Sequence, residues 1–231
     1  MKRKIVDYRQ FKLNTPQFSH LWLLLGWVVY FFLFFLTENF IPEEKCTVVH
    51  CFIDDIIPFY EGFIIPYVAW YLLIFGSLLY FLLYNVDNFK RLQNYIMITQ
   101  AIALVIFCLF PTKQELRPVE FPRDNFLTDC VAYLYLVDTN TGVCPSLHCA
   151  FSIGIASMWI KEKSVSWWFK SFILFLAAMV CLSTMFLKQH SALDFFAALP
   201  LCAVAEYIAC YKYWKSYKDK KKGNVKKRTA T

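Results

Sequence analysis

Formal charge is missing from long stretches of this sequence. Charged residues make up 18% of it, against 58% hydrophobic and 19% aromatic. A soluble domain of this size carries more charge and fewer Phe and Trp, which excludes that class. Segments 21–37, 63–84, 95–112, 139–160 and 171–187 contain no Asp, Glu, Lys or Arg, and a sixth, 195–211, contains Glu206 alone. A spanning helix needs roughly 17–25 such residues. The runs predict an all-α, polytopic membrane protein with six transmembrane helices. No small-residue cleavage site follows the first run, which is crowded with Trp and Phe and leads into Thr37–Glu38–Asn39–Phe40. The run is therefore read as the first membrane helix and not as a cleaved signal. No period of 20–50 residues repeats itself, so a repeat array is also excluded.

The charge that is present is lopsided. The net charge is +7. If segment 1–19 is cytoplasmic, segments 85–94, 161–166 and 212–231 are cytoplasmic too. Together these four hold 18 of the 24 Lys and Arg. Acidic residues gather on the other side, with Glu38, Glu43, Glu44, Asp54, Asp55 and Glu61 all in the first outer loop. Positive charge stays inside, so both termini are expected in the cytoplasm. The chain divides into a cytoplasmic segment 1–19, a six-helix membrane domain 20–211 and a basic tail 212–231. Beside a membrane helix, such a tail fixes topology or touches anionic lipid, and no nucleic-acid partner is expected. Cys108, Cys149, Cys181, Cys202 and Cys210 fall in or near helices as small apolar packers. Cys46, Cys51, Cys130 and Cys144 fall in outer loops, where disulfides can form with a pairing the sequence leaves open.

Ionisable side chains are expensive in lipid, and those present face protein, water or substrate. His148 follows Cys144–Pro145–Ser146–Leu147 at the mouth of the fourth run. His190 follows the fifth run, and Asp194 stands four residues later. That spacing puts His190 and Asp194 on one helical face. Even numbers of crossings separate Arg117, His148 and His190, so all three belong to one membrane face. Alone, the pair also fits a surface ion pair, and His148 a hydrogen-bonded structural histidine. The spacing of Cys144 and His148 suits a metal, but no third and fourth ligand is visible, so no metal or other cofactor is expected. Together the residues suit phosphoryl transfer without metal. One imidazole attacks phosphorus and the other protonates the leaving oxygen. Arg117 offers its planar fork to the non-bridging oxygens, and Ser146 with the helix N-terminus offers further donors.

At these residues the chain resembles the type 2 phosphatidic acid phosphatase superfamily, which includes the vanadium haloperoxidases. That family shows Lys-x6-Arg-Pro, Pro-Ser-x-His and Ser-Arg-x5-His-x3-Asp. The second block stands here as Pro145–Ser146–Leu147–His148, and the third as Ser183–Thr184 with His190 and Asp194 at full spacing. The resemblance implies a helical-bundle phosphatase core and assigns roles by position. His190 is the nucleophile that forms a phosphohistidine, Asp194 its orienting carboxylate and His148 the general acid. Ser146 and Arg117 bind phosphate. Two departures stand out: Phe110 where the first block has lysine, and Thr184 where the third has arginine. Lys113 and Lys188 are the nearest replacements for those charges. The missing arginine and the Pro-Ser-Leu-His wording also resemble the inositol phosphorylceramide and sphingomyelin synthase branch, which moves a phosphoryl head group to an alcohol. The expected function is a lipid phosphatase of the cell membrane, acting at the extracytoplasmic face on phosphatidic acid or a prenyl pyrophosphate. A lipid head-group phosphotransferase is the alternative, and a non-catalytic scaffold or transporter the third reading.

Overall fold

The structure is a computed structural model that describes residues 18–216 and residue 219. Segment 1–17 and most of the basic tail lie outside the described residues. The described residues include, in chain order, α1 Leu25–Phe40, α2 Phe52–Ile56, α3 Ile64–Tyr84, α4 Val86–Leu109, α5 Phe126–Val137, α6 Leu147–Lys161, α7 Trp167–Phe186 and α8 Ala192–Ala209. A 3-10 turn, Ser19–Leu24, leads into α1, and another, Glu61–Phe63, leads into α3. The all-α expectation holds apart from two-residue strands β1 (Thr47–Val48) and β2 (Thr112–Lys113), which pair in parallel.

Five of these segments are long and apolar enough to cross a membrane: Ser19–Phe40, Glu61–Tyr84, Val86–Leu109, Trp167–Phe186 and Ala192–Ala209. Their outward faces carry large apolar side chains such as Phe32, Phe35, Leu72, Phe75, Trp168, Phe172 and Tyr207. Water penalises such a surface and hydrocarbon does not, which marks an integral membrane protein.

The fourth apolar run differs from expectation. Its first residues form an irregular approach, Gly142 taking a left-handed φ of 60°, and only 15 residues are helical. At 1.5 Å per residue α6 rises about 22 Å, short of the ~30 Å hydrocarbon core. The loop read as Pro111–Cys144 likewise contains a helix, α5, capped by the Asn125 side chain on the amides of Leu127 and Thr128.

The core forms around α6, which packs against α3, α4, α7 and α8. Phe151, Ile155, Met158 and Trp159 of α6 meet Phe81, Phe89, Tyr95, Ile96, Val180 and Ala205 of its neighbours. A helix surrounded this way must be apolar or small all round. Gly154 shows why: a Cβ there would lie 2.2 Å from the Tyr95 ring. At the opposite end from His148, the Glu162 carboxylate accepts from Asn85 Nδ2 at 2.6 Å and Asn88 Nδ2 at 3.2 Å, and Lys161 Nζ meets Glu206 at 2.7 Å. These contacts tie the α3–α4 turn and α8 to the end of α6. By contrast, α1 buries none of its own residues and packs mainly on α4.

Candidate active site

The N-termini of α6 and α8 converge. Ser146 caps α6, its hydroxyl accepting from the Cys149 amide at 3.4 Å, and Ser191 caps α8 by accepting from the Leu193 amide at 3.1 Å. The two helix starts are joined directly, because the Ser146 amide donates to the carbonyl of Asp194, in the first turn of α8, at 3.1 Å. This places His148, in the first turn of α6, against His190, one residue before the α8 cap.

His190 Nδ1 lies 3.1 Å from Asp194 Oδ2, and His190 Nε2 lies 3.4 Å from His148 Nδ1. Asp194 Oδ2 also accepts from the Ser191 amide at 3.0 Å, so the carboxylate is held from two sides. It therefore takes the Nδ1 proton of His190 and leaves the lone pair on Nε2. Burial alone would lower the His190 pKa. The Asp194 hydrogen bond and charge, with Cys149 and Asp138 nearby, outweigh burial and hold it above the ordinary imidazole value. His148 sits under a cover of rings, with Trp70 and Tyr67 centroids 4.4 and 4.9 Å away. The neighbouring Cys144 thiol is pushed up to about 12 by burial and by the Asp194 carboxylate. The thiol therefore stays protonated at neutral pH.

A cleft of about 90 Å³ is lined in part by the two histidines. Its lining includes the rings of Tyr30 and Phe34 of α1 and Phe107 of α4, and the polar residues Asp138, Thr139 and Gln189. Tyr30 and Phe34 belong to the candidate span that buries least of itself inside the protein.

The structure brings together His148, His190, Asp194 and, through its backbone, Ser146. It does not bring the expected cations to them. Arg117 stands behind the cleft wall. Its terminal nitrogens donate to the carbonyls of Tyr135, Asp138 and Thr139 and to Gln189 Oε1, at 2.7–3.1 Å. Its planar face lies 4.6 Å from the Tyr135 ring centroid. Lys113 pairs with Glu115 at 2.7 Å and Glu43 at 3.6 Å. The Lys188 amine donates to the carbonyls of Asp54 at 2.7 Å and Ile57 at 2.5 Å. Thr184 is fully buried, and its carbonyl receives the amides of Gln189 and His190.

Four residues near the histidines carried no motif. Asp138, Tyr67 and Gln189 form one group: Tyr67 Oη donates to Asp138 Oδ2 at 2.9 Å and Gln189 Nε2 to the same oxygen at 3.3 Å. Asp54 of α2 is the fourth, accepting from the Ser191 hydroxyl at 2.6 Å and the Ala192 amide at 2.8 Å. Only the unusual position of Gln189, just before His190, could have drawn attention from sequence. All nine cysteines are free thiols. Among the described residues no three His, Cys, Asp or Glu are grouped to hold a metal ion. No protein-family model matches the chain, and neither does any curated protein or solved structure.

Proposed function

We propose that this chain is a membrane enzyme that hydrolyses a lipid phosphoester through a phosphohistidine on His190. The reading includes six membrane crossings, both termini in the cytoplasm and a reaction site at the extracytoplasmic face. It rests on one observation: the Asp194–His190–His148 line opens into a cleft lined by both apolar and polar residues.

In this mechanism Asp194 holds the Nδ1 proton of His190, and the Nε2 lone pair attacks phosphorus. The N–P bond forms as the bond to the leaving oxygen breaks, and His148 gives that oxygen a proton. The leaving alcohol departs. His148, now short of a proton, takes one from water, whose oxygen attacks phosphorus and breaks the N–P bond. The product is released and both imidazoles return to their first state. Asp194 stabilises the transient positive charge on His190. The rings of Tyr30, Phe34 and Phe107 suit the acyl or prenyl chain, and the polar residues of the lining suit the head group.

The second reading, transfer to an alcohol, is supported by a cleft lining in which, among the described residues, no Lys or Arg stands. The first half-reaction is the same, and the alcohol oxygen replaces water in the second. The test uses purified protein in nanodiscs with EDTA, offered phosphatidate, a prenyl pyrophosphate and phosphatidylglycerol, each with and without an added diacylglycerol or ceramide acceptor. The proposal expects at least one lipid to be consumed by the wild type and none by His190→Ala. Products that form only with added acceptor select the second reading. Consumption unaffected by His190→Ala contradicts both.

A further inference from the structure

Gln189 stands between a cation and the cleft. The residue is only 3% exposed, yet it lines the cleft together with His148 and His190. The turn that delivers it is tight. Lys188 takes a left-handed φ of 54°. The amides of Gln189 and His190 both donate to the Thr184 carbonyl, at 2.9 and 3.0 Å, and the Leu187 carbonyl accepts from the Tyr135 hydroxyl at 2.7 Å. The carboxamide next to the nucleophile is therefore held by a fixed backbone.

The two ends of that carboxamide cannot be exchanged. Arg117 Nη2 only donates, so the Gln189 atom it meets at 2.7 Å is the oxygen. The Asp138 carboxylate only accepts, so the Gln189 atom 3.3 Å from its Oδ2 is the nitrogen. Asp138 Oδ2 takes a shorter bond, at 2.9 Å, from the Tyr67 hydroxyl. A carboxamide nitrogen carries two hydrogens. The contact to Asp138 uses one, which leaves the other for a ligand in the cleft.

Arg117 is committed to the protein. Besides Gln189, its terminal nitrogens serve the carbonyls of Tyr135, Asp138 and Thr139, and its plane lies over the Tyr135 ring. Direct contact with phosphate would break these bonds. Its charge is permanent, however, and it balances the Asp138 carboxylate beside it. A cation on Gln189 Oε1 draws electron density out of the amide and makes Nε2–H a stronger donor, as linked hydrogen bonds reinforce one another.

We propose that Gln189 is a phosphate-binding residue of this site: its Nε2 donates to a non-bridging phosphoryl oxygen while His190 attacks. Arg117 supplies positive charge through the Gln189 amide and not by touching phosphate, which makes it a positioning residue. The inference rests on the phosphoryl-transfer reading above. It leaves the bonds and protons of that reaction unchanged, because Gln189 gives a hydrogen bond and transfers no proton.

The probe is inorganic phosphate, titrated by phosphorus NMR into protein in nanodiscs with EDTA, beside thermal unfolding of each variant. Gln189→Met should raise the phosphate Kd about 10- to 100-fold, the effect of losing one hydrogen bond to a charged group. Gln189→Glu keeps an acceptor for Arg117 and should be as stable as wild type, yet it lacks the donor and should lose at least as much affinity. A residue that only braces Arg117 would show the reverse, a lower melting temperature in Gln189→Met and an unchanged Kd in Gln189→Glu. Arg117→Met should weaken phosphate binding about tenfold, and adding it to Gln189→Met should change Kd by less than about twofold, because the charge acts through the amide. If Arg117→Met does not fold, Arg117→Lys takes its place in the cycle with a smaller loss; if Gln189→Met does not fold, Gln189→Glu decides. A wild type that binds no phosphate, a folded Gln189 variant with unchanged Kd, or losses at Arg117 and Gln189 that multiply in full overturns the inference, while a phosphorus adduct on His190 during turnover leaves the functional reading standing. Turnover without that adduct removes the reading and this inference with it.

Discussion

Asp54 and Ser191 stand 137 positions apart in the chain, yet the Asp54 carboxylate accepts the Ser191 hydroxyl at 2.6 Å. The same carboxylate takes the Ala192 amide at 2.8 Å and its own N-terminal neighbour, the Cys51 amide, at 2.8 Å. A carboxylate from α2 thereby caps the helix that carries Asp194 and fixes the residue next to His190. Charged hydrogen bonds of this kind contribute about 1.5–3 kcal/mol each, and an orphaned buried partner costs a similar amount.

Asp54→Ala is expected to lower stability by about 2 kcal/mol and to lower kcat more than it changes KM, because the nucleophile loses its support and the cleft lining does not change. Burial pushes the Asp54 carboxyl up, but its bonds from Ser191, Ala192 and Cys51 outweigh burial and hold it below the ordinary value. A depressed carboxylate stabilises the fold above its unfolded pKa and loses that contribution as pH falls through the folded value. The stability gap between wild type and Asp54→Asn should therefore be full above about pH 4 and close below it. Thermal unfolding in detergent across pH, with turnover at neutral pH, checks both parts.

Asp194→Asn should leave the protein folded and lower kcat by about 10³ to 10⁴-fold. The amide cannot stabilise the imidazolium formed on attack. The pH profile supplies the diagnostic. His190 attacks only when Nε2 is unprotonated, so activity is lost as pH falls through its raised value. Without the carboxylate that raises it, the acid limb of kcat/KM should move to lower pH. An acid limb that stays in place would show that the limb belongs to another group.

The central parts of this arrangement were legible in sequence because they are local. His190 and Asp194 are one helical turn apart, and His148 lies beside a Ser146 cap. The helix count placed His148 and His190 on one face, and the structure joins the two by a 3.4 Å contact. What was not legible depends on long-range packing. Asp54, Asp138 and Tyr67 each meet the site from a separate element, and no spacing announces that. Arg117, Lys113 and Lys188 were expected to supply positive charge to phosphate, and the structure shows them bonded to carbonyls, carboxylates and Gln189 that the sequence does not show as neighbours. The fourth apolar run gave a full spanning length by composition, yet its first residues are spent on the turn that delivers Ser146 to the Asp194 carbonyl.

Lys188→Ala should act on stability and leave KM almost unchanged, because its amine braces α2 through the Asp54 and Ile57 carbonyls. Lysine as a phosphate ligand would instead give a raised KM at constant stability. Steady-state kinetics beside a thermal shift measurement separates the two.

Gly154→Ala should destabilise the bundle by about 1–3 kcal/mol, the usual cost of overpacking. The added methyl meets the Tyr95 ring and threatens the bond from Tyr95 Oη to the Ala150 carbonyl at 3.1 Å. Gly154→Ala with Tyr95→Leu should recover part of the loss. Thermal unfolding of the single and double variants gives the coupling directly.

The most direct measurement is the identity of the covalent intermediate. Protein quenched during turnover of a lipid phosphoester is digested and mapped by mass spectrometry. A phosphorus adduct on His190, labile in acid and stable in base, is the predicted result. It should be absent from His190→Ala. It should still form in His148→Ala when the leaving group is p-nitrophenol, which departs without a proton, and form far more slowly when the leaving group is a lipid alcohol. Turnover by the wild type with no adduct on His190, or equal loss in both histidine variants with both leaving groups, would contradict the account.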